Sequence, residues 1–580
     1  MPKSKAIANA DKEDSLTLPT HIYLDKNYTH RIETPQYGSG LAASSPFLPG
    51  SLILKLHMPN LLLVERDSLS RVCSFCIQEC QSMKRCSACK IPYYCHKACQ
   101  DRHWREIHSR ECRLLKKLPD VPPTAVRSLI VMLLKNKDKL NSAEEMDWKA
   151  LESHVGELQR DRKRWEEILM QARAAIEFTK SEAERMEEAL RWLCVVSYDL
   201  FPGFLSTNAF RITLPDNTPV GLCFSPTLAR ANHSCNPNAF IVFDSRHISL
   251  RALRPIKTDE QIFVSYIDPT EDIVSRQSRL KERYFFTCKC EKCERHENAY
   301  DSFLSYQLGN EEDCDKRMDV FCAQKQLLLR ARHLATAIQS LPLVSRYSNH
   351  LRKATSLLEE SRNLNEAPKQ CQIPTIIDAA SLCKPLTDAK IYALPPYPEI
   401  MHGLYLAYVD AQSFVFALVA ILFLFLSCDV FTFPQPHHPV RVVRLFTIAK
   451  LLKHIASLSP NELLQDISQN SSRSTRAALQ LSEDIWKAVQ DVDLINAFHA
   501  IMILVWEEAK KSHGEDSNFV KEVEQEIQEA EEVQRLRGPV GKNLRGWMGN
   551  VKDAAGRTQA EICFAGLRRL AGLAERFIPP

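Results

Sequence analysis

Between positions 73 and 112 the chain sets cysteine and histidine in four close pairs: Cys73 and Cys76, Cys86 and Cys89, Cys95 and Cys99, His108 and Cys112. Thiolate and imidazole at that density gather metal, and zinc takes four such ligands in a tetrahedron. A two-residue gap suits a tight knuckle. A gap of four places both ligands on one helix face, the arrangement expected for Cys95 with Cys99 and for His108 with Cys112. Eight ligands make two closed sites, one of four cysteines and one of three cysteines plus a histidine. Neither leaves an open position, so both read as structural. Spacing alone leaves open whether the pairs combine in order or interleave. Cys80, His96 and His103 lie in the same stretch without a paired partner and read as ordinary surface or core residues. The first twenty residues hold no apolar core of a secretory leader, so the 20 cysteines of this 580-residue chain are expected in a reducing compartment.

The rest of the chain divides by texture. Residues 31–70 carry short apolar runs broken by Pro46, Pro49, Gly50 and Pro59, a β-like pattern. From Pro122 to Trp192 the text is charged and helical. Residues 205–270 return to short strands, among them Phe240 to Phe243 and Ile262 to Tyr266. From about 300 onward helix follows helix. Val442, Leu445, Ala449, Leu452 and Ala456 mark one buried face, Leu494, Phe498, Ile501 and Val505 another, and Phe519, Val523, Ile527 and Ala530 a third within an acidic stretch. Only 16 glycines favour helix over glycine-turned sheet. A net charge of +4 leaves no nucleic-acid footprint on the whole chain; Arg71, Lys84, Arg85, Lys90 and Lys97 make a basic patch that is only local. Phe414 to Leu426 is thirteen unbroken apolar residues, short of the ~20 that a membrane span needs, and reads as a core helix.

Two further motifs carry chemistry. Gly38-Ser39-Gly40 with Ala43 fits a dinucleotide fingerprint, but Ser44-Ser-Pro46 follows and cannot run as a helix, so that reading fails on context. What remains is a backbone free to take positive φ and let a ligand approach. Further on, Asn232-His233-Ser-Cys235-Asn-Pro-Asn238 precedes a strand, Tyr266 closes another, and Tyr284, Phe286, Cys288, Cys290 and Cys293 follow. Three thiolates leave a tetrahedral zinc one ligand short. His296 nearby or Cys235 some fifty residues earlier can complete it, and Cys235 would clip the Asn-His loop to the tail.

Together these motifs resemble the SET and MYND domain family of protein-lysine methyltransferases, in order over residues 31–296. Asn208-Ala-Phe-Arg-Ile and the Trp148…Leu151-Glu-Ser-His154 signature add to the likeness. The resemblance implies an α+β architecture: a disordered N-terminus (1–27), the first SET part (28–70), a MYND zinc finger (71–113), a helical insert (114–200), the core SET part (201–270), a post-SET zinc segment (271–296) and a helical TPR-like domain (297–580). In that family the finger's pairs interleave, which implies Cys73, Cys76, Cys95 and Cys99 on one zinc and Cys86, Cys89, His108 and Cys112 on a second. A third would take Cys235, Cys288, Cys290 and Cys293. It further implies that Gly38, Ser39, Gly40, Asn208, Asn232 and His233 hold S-adenosylmethionine (SAM), that Tyr266 is the active-site tyrosine, and that Tyr284 and Phe286 wall a lysine channel. Two places depart from the pattern: Ser39 stands where a longer polar or basic residue is common, and 413–428 is far more apolar than the matching helix. The expected activity is SAM-dependent methylation of histone or non-histone lysines in nucleus and cytoplasm, with partner proteins bound through the MYND finger. Neither membrane nor direct nucleic-acid binding is expected. The alternative is a catalytically silent MYND and TPR-like interaction scaffold.

Overall fold

A computed structural model describes residues 28–57, 59–135, 148–181, 183–196, 208–215, 218–308, 316–340, 343–363, 372–469 and 476–578. The expectation for residues 1–27 lies outside these. Among the described residues, twelve short strands precede an all-helical remainder: β1 Thr29–Thr34, β2 Gly38–Ala43, β3 Leu52–Leu56, β4 Leu61–Val64, β5 Lys84–Arg85, β6 Tyr93–Tyr94, β7 Ala209–Thr213, β8 Pro219–Phe224, β9 Asn232–His233, β10 Ala239–Asp244, β11 His247–Ala252 and β12 Phe263–Val264.

The strands build several small sheets around one core. β1 and β2 form an antiparallel hairpin with Thr34 opposite Gly38 and Ile32 opposite Gly40. β10, β11 and β3 lie side by side, as do β4, β8 and β7. Period-two alternation decides which way each side chain points. In β8, Leu222 and Phe224 face the helical insert and join Leu129, Ile130, Trp148 and Trp192, while Cys223 faces the opposite core with Leu41, Ile53 and Leu250. That second core also takes in Val72, Cys73 and Cys112, so the cysteine-rich unit is packed onto the sheets. Arg246 fastens it further, lying 3.9 Å over the Phe75 ring and donating twice to the Glu106 carboxylate at 3.2 and 3.0 Å.

Beyond residue 297 the described chain is helical throughout. Helix Pro439–Ser457 packs along Leu494–His513, which packs in turn along Asn518–Leu536. The stripes read from sequence are inside, except that Ala456 and Leu494 are half-buried; Ile448, Leu451 and Ile455 widen the first buried face. The apolar run is the centre of this half. A helical stretch Phe414–Thr432 has mean hydropathy 2.7 and is long enough to cross a membrane, yet 89% of that window is buried within the protein. Asp466 caps its start by accepting from the Phe414 and Val415 amides at 2.8 and 3.3 Å, and Arg444 pairs with buried Asp429 near its end. The β region and the helical half are joined through Arg251, which donates to the carbonyls of Gly50 (2.7 Å) and Lys511 (3.1 Å). Asn518 adds bonds to Asp244 and Ser245.

Leu418 is fully buried within this helix. Leu418→Ala is expected to cost about 2–5 kcal/mol of unfolding free energy in urea titration. A cost below ~1 kcal/mol would mean that the helix is not the core of this half.

Candidate functional site

Three groups of metal-ligating side chains come together, each with its four ligand atoms within 4.8 Å of one another. The first is Cys73, Cys76, Cys95 and Cys99; the second is Cys86, Cys89, His108 and Cys112; the third is Cys235, Cys288, Cys290 and Cys293. The pairs of the cysteine-rich unit therefore interleave, and Cys235 rather than His296 joins the tail. Sulfur separations of 3.6 Å (Cys76–Cys95), 3.7 Å (Cys95–Cys99), 3.8 Å (Cys86–Cys112) and 3.6 Å (Cys235–Cys293) suit the donor set. A zinc–sulfur bond of ~2.3 Å gives a tetrahedral edge of about 3.8 Å. The donors thus fit zinc in kind, number and spacing.

Local structure explains how the ligands converge. The turn between β5 and β6 returns the chain from Cys86 and Cys89 towards Cys95. A helical run from Lys97 to Leu115, opened into a π turn at Trp104–His108, carries Cys99, His108 and Cys112. Cys95 is not on that helix, as its spacing with Cys99 predicts, but one residue before the His96 N-cap. A thiol ahead of the first turn can reach a centre that also takes Cys99, because only Cys99 needs the helix to aim it. His108 Nδ1 is 2.8 Å from Glu111, which Arg127 holds at 3.0 Å, all three buried. That carboxylate fixes the ring so that Nε2 faces the thiols. His103 is a core residue bonded to the Tyr94 hydroxyl at 2.9 Å, and Cys80 bonds the Ser82 carbonyl. His96 lies with Nδ1 2.8 Å from the Cys95 sulfur.

The third group adjoins a site assembled from sequence-distant pieces. β9 and β12 pair in parallel, Asn232 beside Phe263 and His233 beside Val264. Buried Asn238 locks the crossing: its Oδ1 accepts from the Phe263 amide at 2.7 Å and its Nδ2 donates to the Gln261 carbonyl at 2.8 Å. The Tyr266 amide donates to His233 Nδ1 at 3.1 Å, so the ring proton belongs on Nε2, which lies 3.3 Å from the Cys235 sulfur. Burial holds His233 neutral, its pKa lowered to about 4. The Tyr266 hydroxyl donates to the Ala231 carbonyl at 2.8 Å, and burial pushes its pKa up, keeping the phenol protonated. The Tyr284 hydroxyl donates to the Tyr266 carbonyl at 3.0 Å. Ring centroids of Tyr266 and Tyr284 lie 4.9 Å apart, His233 and Tyr266 5.3 Å, His233 and Phe286 5.9 Å. Four aromatic rings thus line one wall.

On the other side is the tip of the β1–β2 hairpin. Gly38 takes φ +64 with nothing within 4 Å of where a side chain would begin. At Gly40 a Cβ would fall 2.1 Å from Gln261 Nε2 and 3.0 Å from Asn232 Nδ2, so only glycine lets these amides approach. Asn232 Nδ2 donates to the carbonyls of Ser39 (3.1 Å) and Tyr37 (3.3 Å), tying the Asn-His loop to the hairpin. Gln261 Nε2, packed against Gly40, is buried without a hydrogen-bond partner among the described residues, which leaves it spare hydrogen-bonding capacity. Asn208 is placed differently: its amide nitrogen donates to the carbonyls of Glu152 and Val195, both at 3.1 Å, anchoring β7 to the helical insert. Sequence reasoning missed Gln261 and Gln277, and it gave no role to Asn238 although that residue closes the 232–238 motif. Gln277 clamps Cys288 by donating to its carbonyl (2.8 Å) and accepting from its amide (2.9 Å). Neither glutamine belongs to a ligand pair or a glycine turn, so spacing gave no signal for them.

The SET domain family matches residues 38–267. SET domain and MYND-type zinc finger protein 6 of Schizosaccharomyces pombe is 32% identical over 278 residues, covering 47% of this chain and 54% of that protein. Histone-lysine N-methyltransferase SMYD3 of Mus musculus is 33% identical over 276 residues, covering 47% and 62%. N-lysine methyltransferase SMYD2 of Homo sapiens is 28% identical over 271 residues, covering 45% and 59%. The chain thus spans between a half and two thirds of each relative, and about half of its own length takes part.

The purified full chain is expected to carry three zinc ions by atomic emission, and Cys288→Ser two, with a lower melting temperature. Three ions retained in that variant would remove Cys288 from the ligand set. Residues 38–267 match the SET domain family, and over the shared stretch the chain is similar to SET and MYND domain proteins.

Proposed function

We propose that this protein is a SAM-dependent protein-lysine N-methyltransferase, with residues 71–113 acting as a MYND finger for partner proteins and the helical half as a TPR-like domain. The observation that carries the reading is the convergence on one cleft of the Gly38–Gly40 hairpin tip, the Asn232-His233 loop and Tyr266, through the β9–β12 pairing.

Gly38, Ser39, Gly40, Asn232 and His233, with Gln261 added by the structure, would hold the cofactor; Asn208 would act through the insert it anchors. The open space at Gly38 and the unpartnered Gln261 amide fit such a ligand. When bound, SAM supplies a methyl group on a sulfonium, already a good leaving group, so strong acid–base chemistry is not required of the protein. The chain's own task is to hold a lysine nitrogen in line and dry. A free lysine with pKa ~10.4 is only ~0.1% neutral near pH ~7.4. Apolar walls disfavour the ammonium, and each unit by which they lower that pKa corresponds to about 1.4 kcal/mol. Tyr266, Tyr284 and Phe286 provide such walls. The Tyr266 hydroxyl donates its proton to the Ala231 carbonyl, so its oxygen lone pairs remain to accept weak C–H contacts from a methyl group. Structural zinc at the third group would keep the tail, and with it Tyr284 and Phe286, against the cleft.

Calorimetric titration with SAM, followed by tritium transfer from labelled SAM onto mixed histones and a cell extract, tests the reading. Tyr266→Phe is expected to keep SAM affinity within about threefold while methyl transfer falls at least ~10-fold, about 1.4 kcal/mol of barrier. Full transfer by that variant would remove Tyr266 from the chemistry. SAM binding without transfer to any protein would favour the silent scaffold.

A further inference from the structure

The helix Ile273–Tyr284, capped by Asp272, turns one stripe inward: Arg276, Leu280 and Tyr284, four residues apart. Leu280 and Tyr284 suit that position, whereas an arginine only 3% exposed requires a counter-charge. Among the described residues no carboxylate pairs with Arg276. Its guanidinium donates to the Glu271 main-chain carbonyl and points Nη2 at the Cys293 sulfur, 3.8 Å away, with Cys235 the other thiol acting on it. A second buried cation lies alongside. Lys292, 8% exposed and adjacent to Cys293, donates to the Pro269 carbonyl at 2.9 Å and likewise forms no ion pair among the described residues. Glu297 is the acid that acts on Lys292 from further away, and it is engaged with Arg295 at 3.8 Å.

Charge balance explains two buried cations in one place. Four thiolates around Zn2+ carry a net charge of −2, and all four cysteines of this group are buried from water. Arg276 and Lys292 together carry +2. The other groups are compensated otherwise. Cys76 and Cys95 of the first are only half-buried and share their charge with solvent. The second has one thiolate fewer, and its buried acid Glu111 is offset by Arg127.

We propose that Arg276, seconded by Lys292, is the built-in counter-ion of the Cys235–Cys288–Cys290–Cys293 metal centre and thereby the positioning residue that fixes the Tyr284 helix against the lysine channel. This rests on the zinc reading above. Tyr284 stands two turns along the same stripe and donates to the Tyr266 carbonyl, so the charge contact at one end of the helix sets the channel wall at the other.

The test is zinc release from the zinc-loaded full chain to a colorimetric chelator, compared for wild type, Arg276→Gln and Arg276→Lys. Wild type should hold three ions, the most slowly released being that of the third group. Arg276→Gln should speed that phase about 10-fold or more, as losing an outer-shell partner typically does, leaving the other two phases unchanged. Arg276→Lys, which keeps the charge but not the shape, should restore release to within about threefold of wild type. Release from the Gln variant at the wild-type rate, or a Lys variant no better than Gln, would overturn the proposal. Should Arg276→Gln fail to fold, Lys292→Gln decides: faster loss of the same ion supports the counter-ion role, and an unchanged rate overturns it. Wild-type protein holding only two ions would instead refute the zinc reading itself.

Discussion

A loop at 232–235 and a tail at 288–293 must meet for this molecule to have a site at all, and four thiols are what makes them meet. The Cys235 sulfur lies 3.6 Å from that of Cys293, and the neutral His233 ring bridges the same sulfur to the Tyr266 amide. Through this one junction the parallel β9–β12 crossing, the aromatic wall and the hairpin tip are held in a common frame. Thiols of unmetallated cysteines have little reason to gather so closely without forming disulfides, and every described cysteine is free. A metal ion would supply the reason, since ligation is worth far more than the packing of a few sulfurs.

The electrostatics around the junction follow from its dryness. Among the described residues, several buried charges are answered by a partner, both near the junction and in the helical half. Glu111 answers to His108 and Arg127, Asp429 to Arg444, and Arg276 with Lys292 to the third group of thiols. The same dryness keeps His233 neutral and the Tyr266 phenol protonated, the states in which each can serve as a fixed hydrogen-bonding partner. The helical half contributes in another way. Arg251 and Asn518 pin it to β11, to the Asp244–Ser245 turn and to Gly50, so its packed core around Phe414–Thr432 is a buttress to the β region. The relatives' shared stretch covers about half of this chain.

What could be read in the sequence was whatever depends on local spacing. Four close pairs of cysteine and histidine, a glycine segment free to take positive φ and apolar stripes such as Phe519, Val523, Ile527 and Ala530 declare themselves over a few residues; the pairs do converge and the stripe is buried. The Phe414 run reads as core by its thirteen residues, but the helix that contains it is long enough to span a membrane, and only its burial marks it as core. What depends on three-dimensional approach was silent. The interleaving of the first two groups followed from family resemblance and not from spacing. Cys95 shares a gap of four with Cys99 yet stands outside the helix, because an i, i+4 gap is necessary for a shared helical face but does not establish one. Gln261, Gln277 and Arg276 each act on a backbone or sulfur that reaches them only after folding, and as isolated polar residues they carry no pattern. Asn208 shows the converse: its motif is legible, but its amide serves the insert's carbonyls.

The central claim is a shared ion between loop and tail, and zinc-edge anomalous diffraction from crystals of the full chain addresses it directly. The account predicts three anomalous peaks, the third about 2.3 Å from the sulfurs of Cys235, Cys288, Cys290 and Cys293. A third peak held by the tail cysteines with His296 while Cys235 stands apart, or no third peak, would contradict it.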